Sequence, residues 1–304
     1  EDAAFVWLMT HEPKYLDLTR RLLDASLAFY HKRIAEKTMV NWYCHTRVSA
    51  LTAYDWIFLD APEDWREQWG KSMLEHVAQV QPYAGWRDDW GTGRTNRSGY
   101  TTGFYGTQNL LWFAGLALYG EGIDDERALD FLVRGHDLNI KLLEHRRNAC
   151  GDDGGSGSPT LGYAMGAYPW AEFNFLHTWE SATGENIAPN WPHVAMFANY
   201  VLWCHLPGAR EFGYGDAQHT TGQMTRWDMC MHMSNTMHFY AESQPEWAAL
   251  ARYVQGLFPA HYSPTYRGCH HLLLTRMPAA PPASDPGLLP HARHFDAMGQ
   301  IFMR

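Results

Sequence analysis

The chain has 304 residues, which is enough for one large domain or two ordinary ones. Hydrophobic residues make up 46% and charged residues 19% of the sequence, and this composition excludes a disordered or collagen-like polymer. The formal net charge of −9 disfavours a nucleic-acid binder that relies on a general basic surface. An anionic ligand would therefore need a local basic pocket.

The five cysteines are scattered and contain no C-x-x-C pair, so they predict neither a disulfide scaffold nor a zinc ribbon. The sequence contains no run of about 18 apolar residues, the length that would predict a membrane helix, and its first residues lack the pattern of a secretory signal. The chain begins without Met and ends at residues 299–304, whose alternating apolar pattern is typical of a strand. We therefore expect a processed or truncated piece of a longer protein.

Helical periodicity dominates the sequence before residue 295. Apolar residues at three-to-four spacing predict helices over residues 15–40, 45–59, 60–79, 108–118, 124–147, 163–182, 192–204, 219–234 and 245–257. Short turns at residues 119–122 and 183–186 contrast with longer glycine-rich loops at 83–107 and 150–162. Alternating short and long connections favour helical hairpins, so the predicted fold is all-α, an incomplete (α/α) toroid.

The predicted domain organisation has three parts. Residues 1–277 form the toroid domain, which we expect to lack its N-terminal part. Residues 278–294 form a linker, because five prolines within 278–290 prevent a continuous helix. Residues 295–304 are the first strand of a β-sandwich domain that lies outside this chain.

Two glycine-rich segments end where helices are predicted to begin. Asn109 follows Gly103 and Gly106, and Tyr163 follows the second segment, residues 151–162. In a helical toroid the long loops surround one mouth, so both polar side chains can point into a shared cleft.

These motifs resemble those of the heparinase II/III-like polysaccharide lyases, which include alginate and heparan-type lyases. The resemblance covers most of residues 14–304 and consists of short motifs in the right order. The motifs are residues 53–56, the Asn109 helix with its end at 120–122, Gly154-Gly155 followed by Gly162-x-x-x-Gly166 around Tyr163, residues 212–216, and residues 299–304.

The resemblance implies an enzyme that cleaves a uronate-containing acidic polysaccharide by β-elimination, without a cofactor. Elimination requires neutralisation of the uronate carboxylate, a base for the C5 proton and an acid for the leaving oxygen. Asn109 matches the family's carboxylate-contacting position, and Tyr163 matches its catalytic tyrosine. The family's other catalytic histidine belongs to the β-sandwich, so we expect that domain of the same protein as a partner. We expect neither a nucleic-acid nor a membrane partner, and a periplasmic or secreted bacterial location, with the cytoplasm left open.

Further residues, several of them in or next to the two loops, are candidates for binding the polysaccharide. Aromatic rings can stack on sugar faces, and guanidinium groups pair with carboxylate or sulfate groups. The substrate-binding candidates are Trp90, Arg94, Arg97, Tyr105, Gln108, Arg147, Tyr168 and His219, with Arg146 as a further loop arginine.

Structural roles are open for the same residues. Asn109 can cap its helix, Tyr163 can be a core aromatic, and the arginines can be solvated surface residues. A metal site at Cys269, His270 and His271, or at Cys230 with His232, lacks a second spaced ligand cluster, so no metal is predicted.

Two other functions are left open by the sequence. Asp152 and Asp153 could be the paired carboxylates of a toroidal glycoside hydrolase, although Asp is also favoured in turns. The chain could alternatively be a non-catalytic glycan-binding fragment.

Overall fold

The structure is a computed structural model that describes residues 1–36, 45–80, 107–156, 168–206, 210–211, 226–257 and 290–303. For residues 45, 107, 108, 152, 168–171, 205, 206, 210, 211 and 226–231 it describes the backbone alone. The chain divides into two compact units, Glu1–Leu142 and Leu143–Arg304. The described part is mostly helical, as the sequence predicts.

Ten α-helices lie in the described part of the chain: α1 (Asp2–Thr10), α2 (Pro13–Ala35), α3 (His45–Ile57), α4 (Glu63–Val80), α5 (Thr107–Leu118), α6 (Asp125–Cys150), α7 (Tyr168–Thr183), α8 (Pro192–Cys204), α9 (Arg226–Tyr240) and α10 (Pro245–Gly256). Two antiparallel strand pairs accompany them: β1 (His205–Leu206) with β2 (Arg210–Glu211), and β3 (Ala292–Phe295) with β4 (Gln300–Met303). None of the described helices is both long and apolar enough to cross a bilayer.

Aromatic stacking fixes the core of the first unit. Tyr54 on α3 has no exposed surface, and its ring stacks on Trp69 of α4 with centroids 4.5 Å apart. The Tyr54 hydroxyl donates a hydrogen bond to the carbonyl of Arg66 at 3.0 Å. Tyr54 lies in one of the motifs that carry the family resemblance, and its role here is to pack α3 against α4.

The short turn between α5 and α6 has the form that the Gly-Glu-Gly pattern predicts. Gly120 and Gly122 adopt φ values of 88° and 70°, which favour glycine. Their N–H groups donate to Oδ1 of Asp125 at 3.1 and 3.2 Å, so one carboxylate holds the turn. Oδ1 of Asp124 accepts from the N–H of Arg127 at 3.3 Å and caps the start of α6.

The core of the second unit joins helices to the C-terminal hairpin. Val201 of α8, Met237 of α9 and Val254 of α10 are each at most 1% exposed and belong to one apolar cluster. Phe295 of β3 is fully buried in the same cluster, with its ring 5.2 Å from that of Tyr200. The hairpin therefore packs on the helices of its own unit.

Sequence periodicity located α8 at its observed bounds and missed other features. α1, the β1–β2 pair and β3 were not predicted, and β3 begins at Ala292, inside the segment predicted as a linker. α9 begins at Arg226 and continues to Tyr240, whereas a helix over 219–234 was predicted. Its last turns contain Phe239 and Tyr240, which are poor helix formers in isolation but are buried here.

Candidate functional site

Asn109 lies in the first turn of α5, directly after the first glycine-rich segment. The helix begins at Thr107, so Asn109 is its third residue, close to the helix start as the sequence predicts. The side chain has no exposed surface, and Leu110 and Leu111 beside it are equally buried. Contact between its amide and a bound uronate would therefore require the amide to become accessible on binding.

The second glycine-rich segment begins with a tightly held turn, residues 151–156. Oδ1 of Asp153 accepts from the N–H of Gly155 at 3.2 Å, and its Oδ2 accepts from the N–H of Asp296 at 3.1 Å. The Ser156 carbonyl accepts from the Tyr200 hydroxyl at 3.3 Å. These bonds attach the turn to α8 and to the C-terminal hairpin.

Gly154 is the position of this turn that most requires glycine. Its φ is 77°, and a Cβ there would lie 2.3 Å from the carbonyl carbon of Met196 and 2.7 Å from the nitrogen of Phe197. Both atoms belong to the backbone of α8, so they could move aside only if the helix itself shifted. The glycine lets the turn lie directly on the helix.

A small cavity lies beside the turn, within the second unit. It is lined by Arg146, Cys150, Gly154, Gly155, Glu172, His193, Val194, Phe197 and His232. Arg146 and Glu172 form an ion pair, with 15% and 2% of their side chains exposed. Helix α6 contributes Arg146 and Cys150 to this cavity, and α7, α8 and α9 contribute Glu172, His193 and His232.

Burial dominates the electrostatics of the cavity. It lowers the pKa of His193 to about 3, with a further contribution from Arg146 and Arg147, and it lowers that of His232 to about 3, again with repulsion from Arg146. Burial also raises the pKa of the Glu172 carboxyl, an effect that Arg146 only partly offsets. Both histidines are therefore neutral at pH 7. Perturbed groups gathered at one cavity are a physical signature of functional sites.

Most of the substrate-binding candidates fall outside the described part of the chain. Arg147 is exposed in the last turn of α6, where it is accessible to an anionic ligand. Gln108 and Tyr168 lie in the first turns of α5 and α7, and only their backbones are described. Tyr163, Trp90, Arg94, Arg97, Tyr105 and His219 lie outside the described residues.

The alternative site residues divide in the same way. Both carboxylate oxygens of Asp153 accept backbone hydrogen bonds, which is the turn role that was left open for it. Only the backbone of Asp152 is described, and Cys269, His270 and His271 lie outside the described residues. His232 is buried at the cavity, whereas the side chain of Cys230 is not described.

Sequence reasoning missed Glu172 and His193 and named Arg146 only as a loop arginine. These residues are 26 and 47 positions from Arg146 along the chain and follow no spacing that a motif could reveal. The sequence contains 17 histidines, so His193 did not stand out.

A protein-family scan and comparisons with curated proteins and solved structures found no match to this chain.

Proposed function

We propose that the chain is the helical portion of a polysaccharide lyase that cleaves a uronate-containing acidic polysaccharide by β-elimination. The observation that carries the proposal is the polar cavity beside Gly154 and Gly155. These glycines open the segment that leads to Tyr163, the residue that the family resemblance marks as catalytic. The shifted pKa values of His193, His232 and Glu172 at this cavity are of the kind that gathers at functional sites.

In this proposal the helices form part of an (α/α) toroid whose long loops surround the cleft. Asn109 donates its amide N–H groups to the uronate carboxylate and thereby lowers the charge that opposes loss of the C5 proton. The Tyr163 phenol then moves a proton, either from C5 or to the leaving glycosidic oxygen. Arg147, together with Arg94 and Arg97, holds neighbouring acidic groups of the polysaccharide.

The ion pair of Arg146 and Glu172 acts as a positioning element in this scheme. Arg146 is only 15% exposed, and Glu172 already neutralises its charge, so it is a poorer candidate than Arg147 for direct contact with the polysaccharide. The pair lies at the same cavity as Gly154 and Gly155. It therefore supports the turn from which the Tyr163 segment starts.

The test is an elimination assay on purified protein with alginate, hyaluronan and heparan sulfate as separate substrates. Elimination forms an unsaturated uronate, which is read by its ultraviolet absorbance, whereas hydrolysis forms only a new reducing end. We expect absorbance to rise with at least one substrate and to be abolished in Tyr163→Phe and Asn109→Ala. Tyr119→Phe is the matched control, because Tyr119 is 48% exposed at the end of α5 and lies in neither glycine-rich segment.

Other outcomes would reject the lyase or the roles proposed for Asn109 and Tyr163. New reducing ends without absorbance, lost in Asp152→Asn, would indicate the glycoside hydrolase. Retained affinity for the polysaccharide without either product would indicate a glycan-binding fragment. Full activity of Tyr163→Phe and Asn109→Ala, with absorbance present, would show that elimination uses other residues.

A further inference from the structure

Helices α7 and α9 bring two histidines and one glutamate together, away from the cavity at Gly154. His177 and Glu180 are three residues apart on α7 and therefore share one face of that helix. His238 comes from α9. One ligand atom from each of the three side chains lies within 4.8 Å of the other two. All three residues belong to the second unit.

Direct contacts hold these side chains in place. Nε2 of His238 lies 2.7 Å from Oε2 of Glu180, an oxygen that can only accept when ionised. Nε2 of His177 lies 2.7 Å from Oδ1 of Asn235, which is one turn before His238 on α9. The Asn235 contact fixes the ring of His177, in the way that an outer hydrogen bond orients a metal-binding imidazole. Among described residues, Nδ1 of His177 has no hydrogen-bond partner.

The cluster is partly buried yet reachable from solvent. The side chain of His238 is 10% exposed, whereas that of Glu180 is 33% exposed. The Phe239 ring lies 4.6 Å from the His177 ring and 4.6 Å from the His238 ring, measured between centroids, and so forms an apolar wall. An ion can enter beside Glu180 and become partly shielded from water by the histidines.

The local charges favour a cation here and oppose one at the cavity of Arg146. The charged groups that shift the pKa of His177 are Glu180 and His238, whereas arginine charge lowers the pKa of both His193 and His232. Burial lowers the pKa of His177 to about 4, so its imidazole is neutral at pH 7 and has a lone pair to give.

We propose that His177, Glu180 and His238 form a binding site for one divalent transition-metal ion of the zinc class, with water completing the coordination. Two imidazoles and one carboxylate suit zinc, whereas calcium and magnesium prefer oxygen ligands alone. Zinc–ligand distances of about 2.0–2.2 Å place tetrahedral ligands about 3.3–3.6 Å apart. Side-chain rotations would bring His177 closer and would move Nε2 of His238 and Oε2 of Glu180 apart from 2.7 Å, as the ion replaces the hydrogen bond between them. The ion would cross-link α7 to α9 independently of any lyase activity.

The experiment uses the full chain, freed of metal by chelation, and zinc chloride alone as the probe. Calorimetric titration should give one strong site, and saturating zinc should raise the thermal unfolding midpoint. Cobalt should replace zinc and give visible absorbance in the range of a four- or five-coordinate ion with nitrogen and oxygen ligands. Zinc should also protect the amides of α7 and α9 in hydrogen exchange.

Variants assign the site. We expect His177→Ala, Glu180→Gln and His238→Ala each to weaken zinc binding by about tenfold or more. Glu180→Gln is the most informative, because the partly exposed side chain keeps its shape and the helical circular dichroism should be unchanged. His136→Ala is the control: it removes a histidine that is likewise paired with a carboxylate, Asp137 at 3.1 Å, where no third ligand is near among described residues. Zinc affinity that is unchanged in all three variants, or absence of zinc binding to the unmodified chain, would overturn the proposal.

Discussion

Oδ2 of Asp153 accepts a hydrogen bond from the backbone N–H of Asp296 at 3.1 Å and so joins segments 143 residues apart. The same carboxylate accepts from the N–H of Gly155. Asp153→Ala removes both bonds, and we expect the free energy of unfolding to fall by about 1–2 kcal/mol. Urea denaturation measures the change.

Asp153→Asn is the matched variant, because it keeps one oxygen acceptor of nearly the same shape. Its loss should be smaller than that of Asp153→Ala, and it should leave elimination activity in place. An Ala variant as stable as the unmodified chain would show that these bonds do not hold the turn. Loss of all activity in a folded Asn variant would instead favour the hydrolase.

Gly154 and Gly184 separate the effect of backbone conformation from the effect of close packing. Their φ values are 77° and 76°, but a Cβ at Gly184 would meet nothing within 4 Å, whereas one at Gly154 would meet the backbone of Met196 at 2.3 Å. We expect Gly184→Ala to cost about 1 kcal/mol, from the left-handed conformation alone. Gly154→Ala should cost at least about 2 kcal/mol more, because the turn must move away from α8. If urea denaturation shows equal losses in the free energy of unfolding for the two variants, then the close packing of Gly154 on α8 adds no cost.

Much of the helical framework could be predicted from the sequence, because its signals are local. Pro192 marks the start of α8, and the glycines at 120 and 122 mark the end of α5. α9 was harder, because tertiary burial of Phe239 and Tyr240 stabilises its last turns despite weak helix propensity. The arrangement of the helices depends on such long-range packing, and the toroid stays a prediction.

The clusters of ionisable side chains at the Arg146 cavity and at His177 were harder to predict from the sequence for the same reason. The position of Asn109 near the start of α5 could be predicted because a glycine-rich segment followed by helical periodicity is a local pattern. His177 and Asn235, by contrast, are 58 positions apart in the sequence, and so are Glu180 and His238. Only the packing of α7 beside α9 brings these pairs together, and no residue spacing in the sequence marks that packing.

The ion pair of Arg146 and Glu172 offers a test of how a buried charge pair contributes to stability. Removing one partner leaves the other charge buried, so Arg146→Met or Glu172→Met alone should cost about 3–5 kcal/mol. The double variant should lose less than the two single variants combined, because no charge remains unpaired. Urea denaturation of all four proteins gives the coupling free energy.

The exposed pair of Arg134 and Asp130 is the control for this cycle. Nη1 of Arg134 lies 3.1 Å from Oδ2 of Asp130, and the two side chains are 43% and 55% exposed. Arg134→Met should therefore lower the free energy of unfolding by about 1 kcal/mol or less. Additive losses for the variants of Arg146 and Glu172 would mean that the two side chains contribute to stability independently.

Buried neutral histidines should make the protein sensitive to acid. The pKa values of His193 and His232 are lowered to about 3 and that of His177 to about 4, whereas an unfolded histidine titrates near 6.5. Between these values the unfolded chain binds more protons than the folded chain, so stability is complete above about pH 6.5 and falls as the pH decreases. Each histidine contributes a slope of up to about 1.4 kcal/mol per pH unit in that window.

His193→Gln removes one such group, so the stability of this variant should decline less steeply than that of the unmodified chain between pH 7 and pH 5, by about 2 kcal/mol in total. The measurement is urea denaturation across this pH range, with His136→Gln as the control at a side chain that is 34% exposed. If His193→Gln and the unmodified chain lose stability in parallel, then the pKa of His193 is nearly the same in the folded and unfolded chains, and the cavity beside Gly154 is more hydrated than its burial indicates.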